Sequence, residues 1–348
     1  MTTRRVAVIL GGKSSEHEVS VTSARNIIAA LDRDRWEPVP IGISRKGGWL
    51  SSAETGGLLS SGERAIADGG TALLTSEAVS DLASCDVVFP IVHGTFGEDG
   101  TLQGFLEMAG LPYAGAGVAA SAIGMDKALM KAIFVEAGIP VAKYGVIRSW
   151  EYADAQNVVL FAEHEVGYPC FVKPANGGSS VGVSKARSRE DLPAALAAAF
   201  AHDDKILVER AIHGQEVEVS ILGNERPEAS IVGEIAPDRD FYDYDSKYAA
   251  SSTTTLHIPA RIPGETAECV RELAIRMYQA MGCEGYARVD FFVVDGNEVI
   301  ANEVNTIPGF TSISMYPKLW EASGLAYTPL LSRILDLAFE RHERRARR

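Results

Sequence analysis

The chain has 348 residues, 46% of them apolar and 23% charged, with a formal charge of −13. That composition fits a soluble globular protein with a buried core, of about two to three domains at this length. The negative charge excludes nonspecific nucleic-acid binding, which runs on excess Lys and Arg, although local basic groups can still seat an anionic substrate.

No segment has the roughly 18 uninterrupted apolar residues of a membrane span. The apolar run in MTTRRVAVILGG is too short for a signal peptide. Cys85, Cys170, Cys269 and Cys283 lack metal-like or CxxC spacing and read as buried thiols in a reducing compartment. A cytoplasmic protein with neither a membrane nor a nucleic-acid partner is expected. In chain order, Val6–Leu10 reads as a buried strand and Gly11–Ser15 as a loop. Ser15 and Glu18 have capping-box spacing at the start of a helix reaching about Leu31. Val39–Ile43 and Val87–Val92 read as further buried strands, the pattern of a parallel α/β sheet. Ser51–Gly70, rich in Gly, Ser and Ala, reads as a surface insertion. The chain becomes small and Gly-rich around Ala114–Gly124, a candidate boundary. A helix from about Asp126 to Ala137 carries the apolar stripe Met130, Ile133, Phe134 and Ala137, and Gly138 with Pro140 ends it. Cys170–Lys173, Val181–Lys185 and Ile206–Glu209 read as strands, with an Ala-rich helix at Asp191–Phe200. From Glu216 the chain is strand-rich again. Asp238–Ser252 is too polar for a core and too aromatic for a plain linker, and fits an active-site lid. A final helix, Thr328–His342, leads into a basic tail, Arg344–Arg348, expected to fray in solvent.

Gly285–Ser314 carries the densest chemistry. It reads as two strands around a tight turn, then a Gly-Pro loop. Arg288 and Asp290 fall on the first strand, and Glu303 and Asn305 share a face of the second. A turn at Gly296-Asn297 sets Asp290 opposite Glu303. Starting the loop one residue earlier sets Asp290 opposite Ala301 with Glu303 diagonal, and a three-residue loop separates the acids. Two carboxylates and an amide oxygen on one face make a hard-cation site of the kind Mg²⁺ takes, and the adjacent Arg288 points to phosphoryl chemistry. Ala175–Val183, just after Lys173, is rich in Gly and Ser, so its amides could wrap a phosphate, or it is a flexible hairpin loop. Gly11-Gly12-Lys13-Ser14 is no Walker A motif, because Ala7 stands where its first glycine belongs. No GxGxxG is present either. Glu16, in a first helical turn, suits the dipole or could hold an ammonium group. His93 follows a buried strand, where parallel sheets bind ligands or where a histidine caps a turn. Lys127 opens a helix and is either solvated or a ligand contact. Glu209 and Glu216 flank a connection where they could meet a nucleotide or are merely surface acids, and Lys247 and Tyr248 are the lid's candidate functional side chains.

GGKSSEHEVS, HGTFGEDGTLQG, MDK, VKPANGGSSVG, DYDSKY, ARVDFF and NEVNTIPGFTSIS occur in this order. Together, across about residues 5 to 340, they closely resemble the D-alanine–D-alanine ligase family of the ATP-grasp superfamily. The resemblance implies a three-domain α/β fold, α+β toward its C-terminus. An N-terminal Rossmann-like parallel-sheet domain (1–118) precedes a central ATP-grasp part (119–212) and a C-terminal one (213–348), with ATP gripped between the last two. It implies that Lys127 and Lys173 contact phosphates and that Ser179, Ser180 and Val181 lie in the phosphate loop. Glu209, Arg210, Ala211 and Ile212 would face adenine, with Arg210 where a Lys is frequent, and Glu216 the ribose. Lys247, Asn302 and Glu303 complete the ATP set. Asp290, Glu303 and Asn305 would hold two Mg²⁺, with Mn²⁺ as a substitute. Glu16 would bind the first D-alanine's ammonium, His93 its carboxylate, and Lys247 and Ser314 the second substrate's carboxylate. Ser179 and Tyr248 would link Glu16 to the lid, and Arg288 with the Gly309 N–H would form the oxyanion site. The implied reaction joins two D-alanines through a D-alanyl phosphate, releasing ADP and phosphate, in peptidoglycan precursor synthesis. A homodimer is implied as well. Tyr248 favours D-alanine over D-lactate as second substrate. The alternative is a D-alanine–D-lactate ligase or another ATP-grasp carboxylate–amine ligase.

Overall fold

Residues 3–66, 74–150, 155–236 and 254–347 are described in the computed structural model of the chain. The lid reading at Asp238–Ser252, with Lys247 and Tyr248, lies outside them. The first sheet comes from apolar runs with no alternation. β1 (Arg4–Gly11), β2 (Trp36–Ile43) and β3 (Val87–Pro90) pair in parallel in the order β2-β1-β3. Val6, Ala7, Val8, Ile9 and Leu10 are all fully buried, since both faces of such a sheet are covered.

The helix His17–Ala30 follows β1, but its N-cap is Glu16, with no side-chain cap hydrogen bond. The Ser15–Glu18 box is therefore one residue out of register and does not form. A capping box does form at Ser51 and Glu54, opening the helix Ser52–Ser60. The described part of the Ser51–Gly70 insertion is thus built in. Its Ile66 is buried and donates its N–H to His17 Nε2 at 2.9 Å.

β4 (Tyr144–Arg148), β5 (Cys170–Pro174), β6 (Ser184–Ala186) and β7 (Lys205–Arg210) form an antiparallel sheet in the order β4-β7-β5-β6. The strand expected over Val181–Lys185 shrinks to β6. Ser179, Ser180 and Gly182 take φ of 50°, 60° and 73°, which no strand accommodates. The third sheet holds β8 (Gln215–Leu222), β9 (Glu228–Ala229), β10 (Gly233–Ala236), β11 (Thr255–His257), β12 (Tyr286–Val294) and β13 (Glu298–Asn305). Its order is β11-β10-β8-β12-β13, with β9 pairing β8. One face is apolar: Val217, Val219, Val289 and Phe291 pack with Val270 and Met277 of the helix Gly264–Ala280. The other face is polar and builds the site.

The last helix spans Tyr327–Ala346 and returns to the first sheet. Leu330, Leu331, Ile334 and Leu335 are fully buried in the core shared with Val6, Val8 and Trp36, and Trp36 Nε1 donates to Ser332 Oγ at 3.0 Å. Arg344 and Arg345 are tied down, where a frayed tail was expected. Arg344 pairs with Glu225 and Glu284, and Arg345 with Glu107 at 2.5 Å. Each buried Leu or Ile contributes about 1.5–3 kcal/mol against about 0–1 kcal/mol for an exposed ion pair, so burial fixes this helix and the arginines tether its end. Three cysteines are buried, but Cys269 is exposed. It lies within the helix Gly264–Ala280, which is amphipathic and buries only one side. Among the described residues no helix is long and apolar enough to cross a membrane.

Glu234 on β10 accepts from Arg261 Nε and Nη2 at 3.0 and 2.7 Å and from its backbone N–H at 3.0 Å. These bonds outweigh burial and hold its carboxyl down at about 2. A depressed carboxyl contributes stability above its unfolded value and loses it on protonation. The melting-temperature gap between wild type and Glu234→Gln should therefore be full above about pH 4.5 and narrow as pH falls toward about 2. A constant gap in pH-dependent thermal melts refutes this.

Candidate functional site

The polar face of β8, β12 and β13 is assembled by a turn and a bulge. Asp295 and Gly296 have φ of 49° and 76°, and the Asn297 N–H bonds Val294 O at 3.1 Å. The turn therefore centres on Asp295-Gly296, one residue before the expected Gly296-Asn297. An Asp-Gly pair suits two left-handed positions, and glycine takes the second at no steric cost. From the turn, Val294 faces Glu298 and Phe291 faces Ala301; the register then shifts, and Asp290 faces Glu303. Asn302 is the extra residue of this bulge. Without it Asp290 would face Asn302, and Glu303 would point into the apolar core.

Arg288 sits between acids on this face. Its Nε and Nη2 donate to Asp290 Oδ1 and Oδ2 at 2.8 and 2.7 Å, and Nε lies 3.2 Å from Glu218 Oε2. Burial works against its charge, but Asp290, Glu218 and Glu303 hold the guanidinium pKa well above its usual range. Glu218 was not among the candidates, yet it faces Asp290 across β8 and β12 and is only 5% exposed. The alternation in QEVEVSIL places it on the face of Glu216, a signal that was available. Glu303 lies 3.5 Å from Lys127 Nζ, which donates to Gly177 O at 2.8 Å. Asn305 Oδ1 accepts from the Ile307 N–H at 3.1 Å.

The glycine loop faces this sheet. Ser179 and Ser180, both left-handed, form a tight turn closed by the Val181 N–H on Gly178 O at 3.2 Å. Ser179 Oγ donates to Glu16 Oε1 at 2.5 Å, drawing the start of the first helix onto the loop. A Cβ at Gly178 would lie 2.8 Å from Glu16 Oε2, so a side chain there would press on the Glu16 carboxylate.

Nearby, His93 Nδ1–H donates to Ile307 O at 2.9 Å. Its buried Nε2 has no hydrogen-bond partner among the described residues. Burial lowers the His93 pKa despite Glu16, so the ring is neutral. Burial and Glu16 push the Glu98 carboxyl well up, although its Oε2 accepts from the Gly94 N–H at 2.6 Å. Gly309 lies against Ser314, whose Oγ would be 2.7 Å from a Cβ there. Ser314 Oγ accepts from the Thr311 N–H at 3.0 Å.

On the opposite wall Glu209 is the penultimate residue of β7, its carboxylate shared between Lys173 and Lys131. Burial opposes its ionisation, but the two lysines win and lower its pKa. Lys131, also missed, is one turn beyond Lys127, beside the apolar stripe that disguised it. The chain then runs through Arg210 and Ala211, whose N–H groups bond Lys143 O and Pro169 O at 2.8 and 3.0 Å.

All of these groups converge. Glu16, His93, Lys127, Lys173, Ser179, Ser180, Val181, Glu209, Arg210, Ala211, Ile212, Glu216, Arg288, Asp290, Asn302, Glu303, Asn305, Gly309 and Ser314 line one cleft of about 920 Å³, with Glu98 and Glu218. Lys247 and Tyr248 lie outside the described residues. Among the described residues no three His, Cys, Asp or Glu gather as a metal cage. The oxygen set is two carboxylates and an amide, which suits a cation that keeps waters and shares substrate phosphates.

Residues 5–116 match the family described as D-ala D-ala ligase N-terminus and residues 133–336 that described as D-ala D-ala ligase C-terminus. A D-alanine–D-alanine ligase of Thermoanaerobacter sp. (strain X514) is 48% identical over 359 residues, covering 100% of this chain and 99% of that relative. The solved D-alanine–D-alanine ligase of Coxiella burnetii superposes with a TM-score of 0.83 at 35% identity, over 100% of this chain and 97% of that one. The VanG D-Ala:D-Ser ligase of Enterococcus faecalis gives 0.81 at 33% identity, over 97% of this chain and 100% of that one. With both family halves matched in order and the polar sheet face, glycine loop and first helix meeting in one cleft, the chain belongs to the D-alanine–D-alanine ligase family and has its ATP-grasp fold.

Proposed function

We propose that this cleft joins two D-alanines into D-alanyl-D-alanine for peptidoglycan precursor synthesis, converting ATP to ADP and phosphate. The observation that carries this reading is the Ser179–Glu16 hydrogen bond. It sets an acid suited to an ammonium group against a loop suited to a phosphate, so an amino acid held by Glu16 has its carboxylate beside the nucleotide's terminal phosphate.

A carboxylate is a poor acyl donor because its oxygens leave badly; phosphorylation converts one into a leaving group. Glu16 holds the first D-alanine's ammonium, and His93 Nε2 faces its carboxylate, gaining a proton as the anion arrives. The amides and hydroxyls of Ser179 and Ser180, with Val181, cradle the phosphates, and Lys127 and Lys173 neutralise them. Glu209, Arg210, Ala211 and Ile212 face the base, Glu216 the ribose, and Asn302 completes the nucleotide wall. Asp290, Glu303 and Asn305 would hold Mg²⁺, two ions with Mn²⁺ as substitute, which would supply positive charge for the phosphoryl group in transit. The second D-alanine's amine attacks the acyl phosphate, its carboxylate held by Ser314 and Lys247. Arg288 and the Gly309 N–H stabilise the oxyanion; one such donor supplies roughly 3 kcal/mol. A lid over Asp238–Ser252, outside the described residues, would exclude water, with Ser179 and Tyr248 linking it to Glu16. We also propose the division at 1–118, 119–212 and 213–348, a homodimer, and a cytoplasmic location.

ATP-dependent phosphate release with D-Ala alone tests the reading, with L-Ala as control and D-lactate or D-Ser added in parallel. D-Ala alone should suffice and L-Ala should not; a requirement for D-lactate would replace this reading with the depsipeptide ligase. Glu16→Gln should raise the KM for the first D-alanine and leave that for ATP nearly unchanged, and equal D-alanine constants would remove Glu16 from its role. Arg288→Ala should cut kcat about a hundredfold or more. It also strands Asp290 and Glu218, at a cost of about 3–5 kcal/mol in urea unfolding. Adding Glu218→Gln should recover part of that stability and none of the rate.

A further inference from the structure

We propose that Lys131 is a positioning residue for nucleotide binding: by sharing Glu209 with Lys173, it lets the Lys173 ammonium leave that carboxylate for a phosphate. This rests on the reading of Lys173 as a phosphate contact. Lys131 belongs to the helix Lys127–Glu136, and its side chain is 1% exposed. It lies behind the cleft wall, 2.5 Å from Glu209 Oε1, with its ammonium 5.9 Å from the Tyr144 ring centroid. Lys173 pairs with the other oxygen, Oε2, and its side chain is 13% exposed. Lys173 and Glu209 both line the cleft.

The charges do not balance. Two ammonium groups surround one carboxylate, leaving a net positive charge in a buried cluster. Burial presses the Lys131 pKa down against the pull of Glu209, so its charge is held at a cost. A neutral Glu209–Lys173 pair would be the cheaper arrangement for folding. It would be the worse one for binding. With Lys173 as its sole countercharge, Glu209 would be stranded whenever Lys173 turned to a phosphate, and an unpaired buried charge is expensive. Lys131 stays on Oε1 and removes that penalty.

The substitution Lys131→Met keeps the length and removes the charge. Direct titration with ATP, without turnover, should show a dissociation constant raised roughly tenfold, the scale of one disturbed close charge pair. The thermal midpoint should be unchanged or higher, because the remaining pair is neutral. Adding Glu209→Gln to Lys131→Met should recover affinity, since the amide keeps an oxygen toward the base and no longer tethers Lys173. Lys173→Met, run in parallel, separates the two claims. If it leaves ATP affinity intact, the phosphate reading of Lys173 fails. If it weakens ATP while Lys131→Met does not, the inference about Lys131 alone fails. A fall in both midpoint and affinity for Lys131→Met, with no recovery in the double variant, makes Lys131 structural and overturns the proposal.

Discussion

A buried charge has to be paired, and this cleft is built around that constraint. Removing a carboxylate from water costs several kcal/mol unless a cation and hydrogen bonds replace the water. Asp290, Glu218, Glu209 and Glu303 all lie in or beside a largely covered cleft, so each draws a basic side chain: Arg288, Lys131, Lys173 or Lys127. The basic groups that suit an incoming polyanion are thus fixed in place by acids before it arrives. Their rotamers are set by the same pairs that stabilise the fold, which is how a site gains preorganisation without a separate scaffold.

The sheet register makes this possible. Glu303 and Asp290 share a face only because Asn302 is extruded, and a bulge that re-aims a side chain is a feature of sites rather than a defect of strands. Behind that face, Val289, Phe291 and Val304 lock the strands against the helix Gly264–Ala280. The polar groups therefore ride on an element whose other side is a packed core, and a slip of one residue would exchange acids for valines.

Much of this was legible. Val6–Leu10 could be read as a buried parallel strand because burial on both faces leaves an unbroken apolar run. The carboxylates of ARVDFF and NEVN could be read as facing one another because strands alternate. What the pattern hid was set by distant partners. Glu16 became the N-cap in place of Ser15, in contact with Ser179, 163 residues away. The basic tail looked solvated, yet the partners of Arg344 and Arg345 lie 60 to 238 residues upstream. Lys131 fell beside an apolar stripe, where a lysine reads as noise. The bulge left one slight trace, the consecutive polar residues Asn302 and Glu303 between the core-facing Ala301 and Val304, which break the alternation.

The pairs are also unequal in a directed way. Arg288 is shared by two acids, Asp290 and Glu218, which leaves a net negative charge at the sheet face. Glu209 is shared by two lysines, which leaves a net positive charge on the opposite wall. A site selected only for stability would close each cluster as a neutral pair, since uncompensated buried charge is costly. Here the residual charge at the sheet face has the sign that attracts a divalent cation, and that on the wall has the sign that attracts a polyphosphate. The fold places these two imbalances on β12 and β7, elements of separate sheets. A cation-bearing nucleotide would satisfy both at once, with its charged groups laid in the order the two walls require.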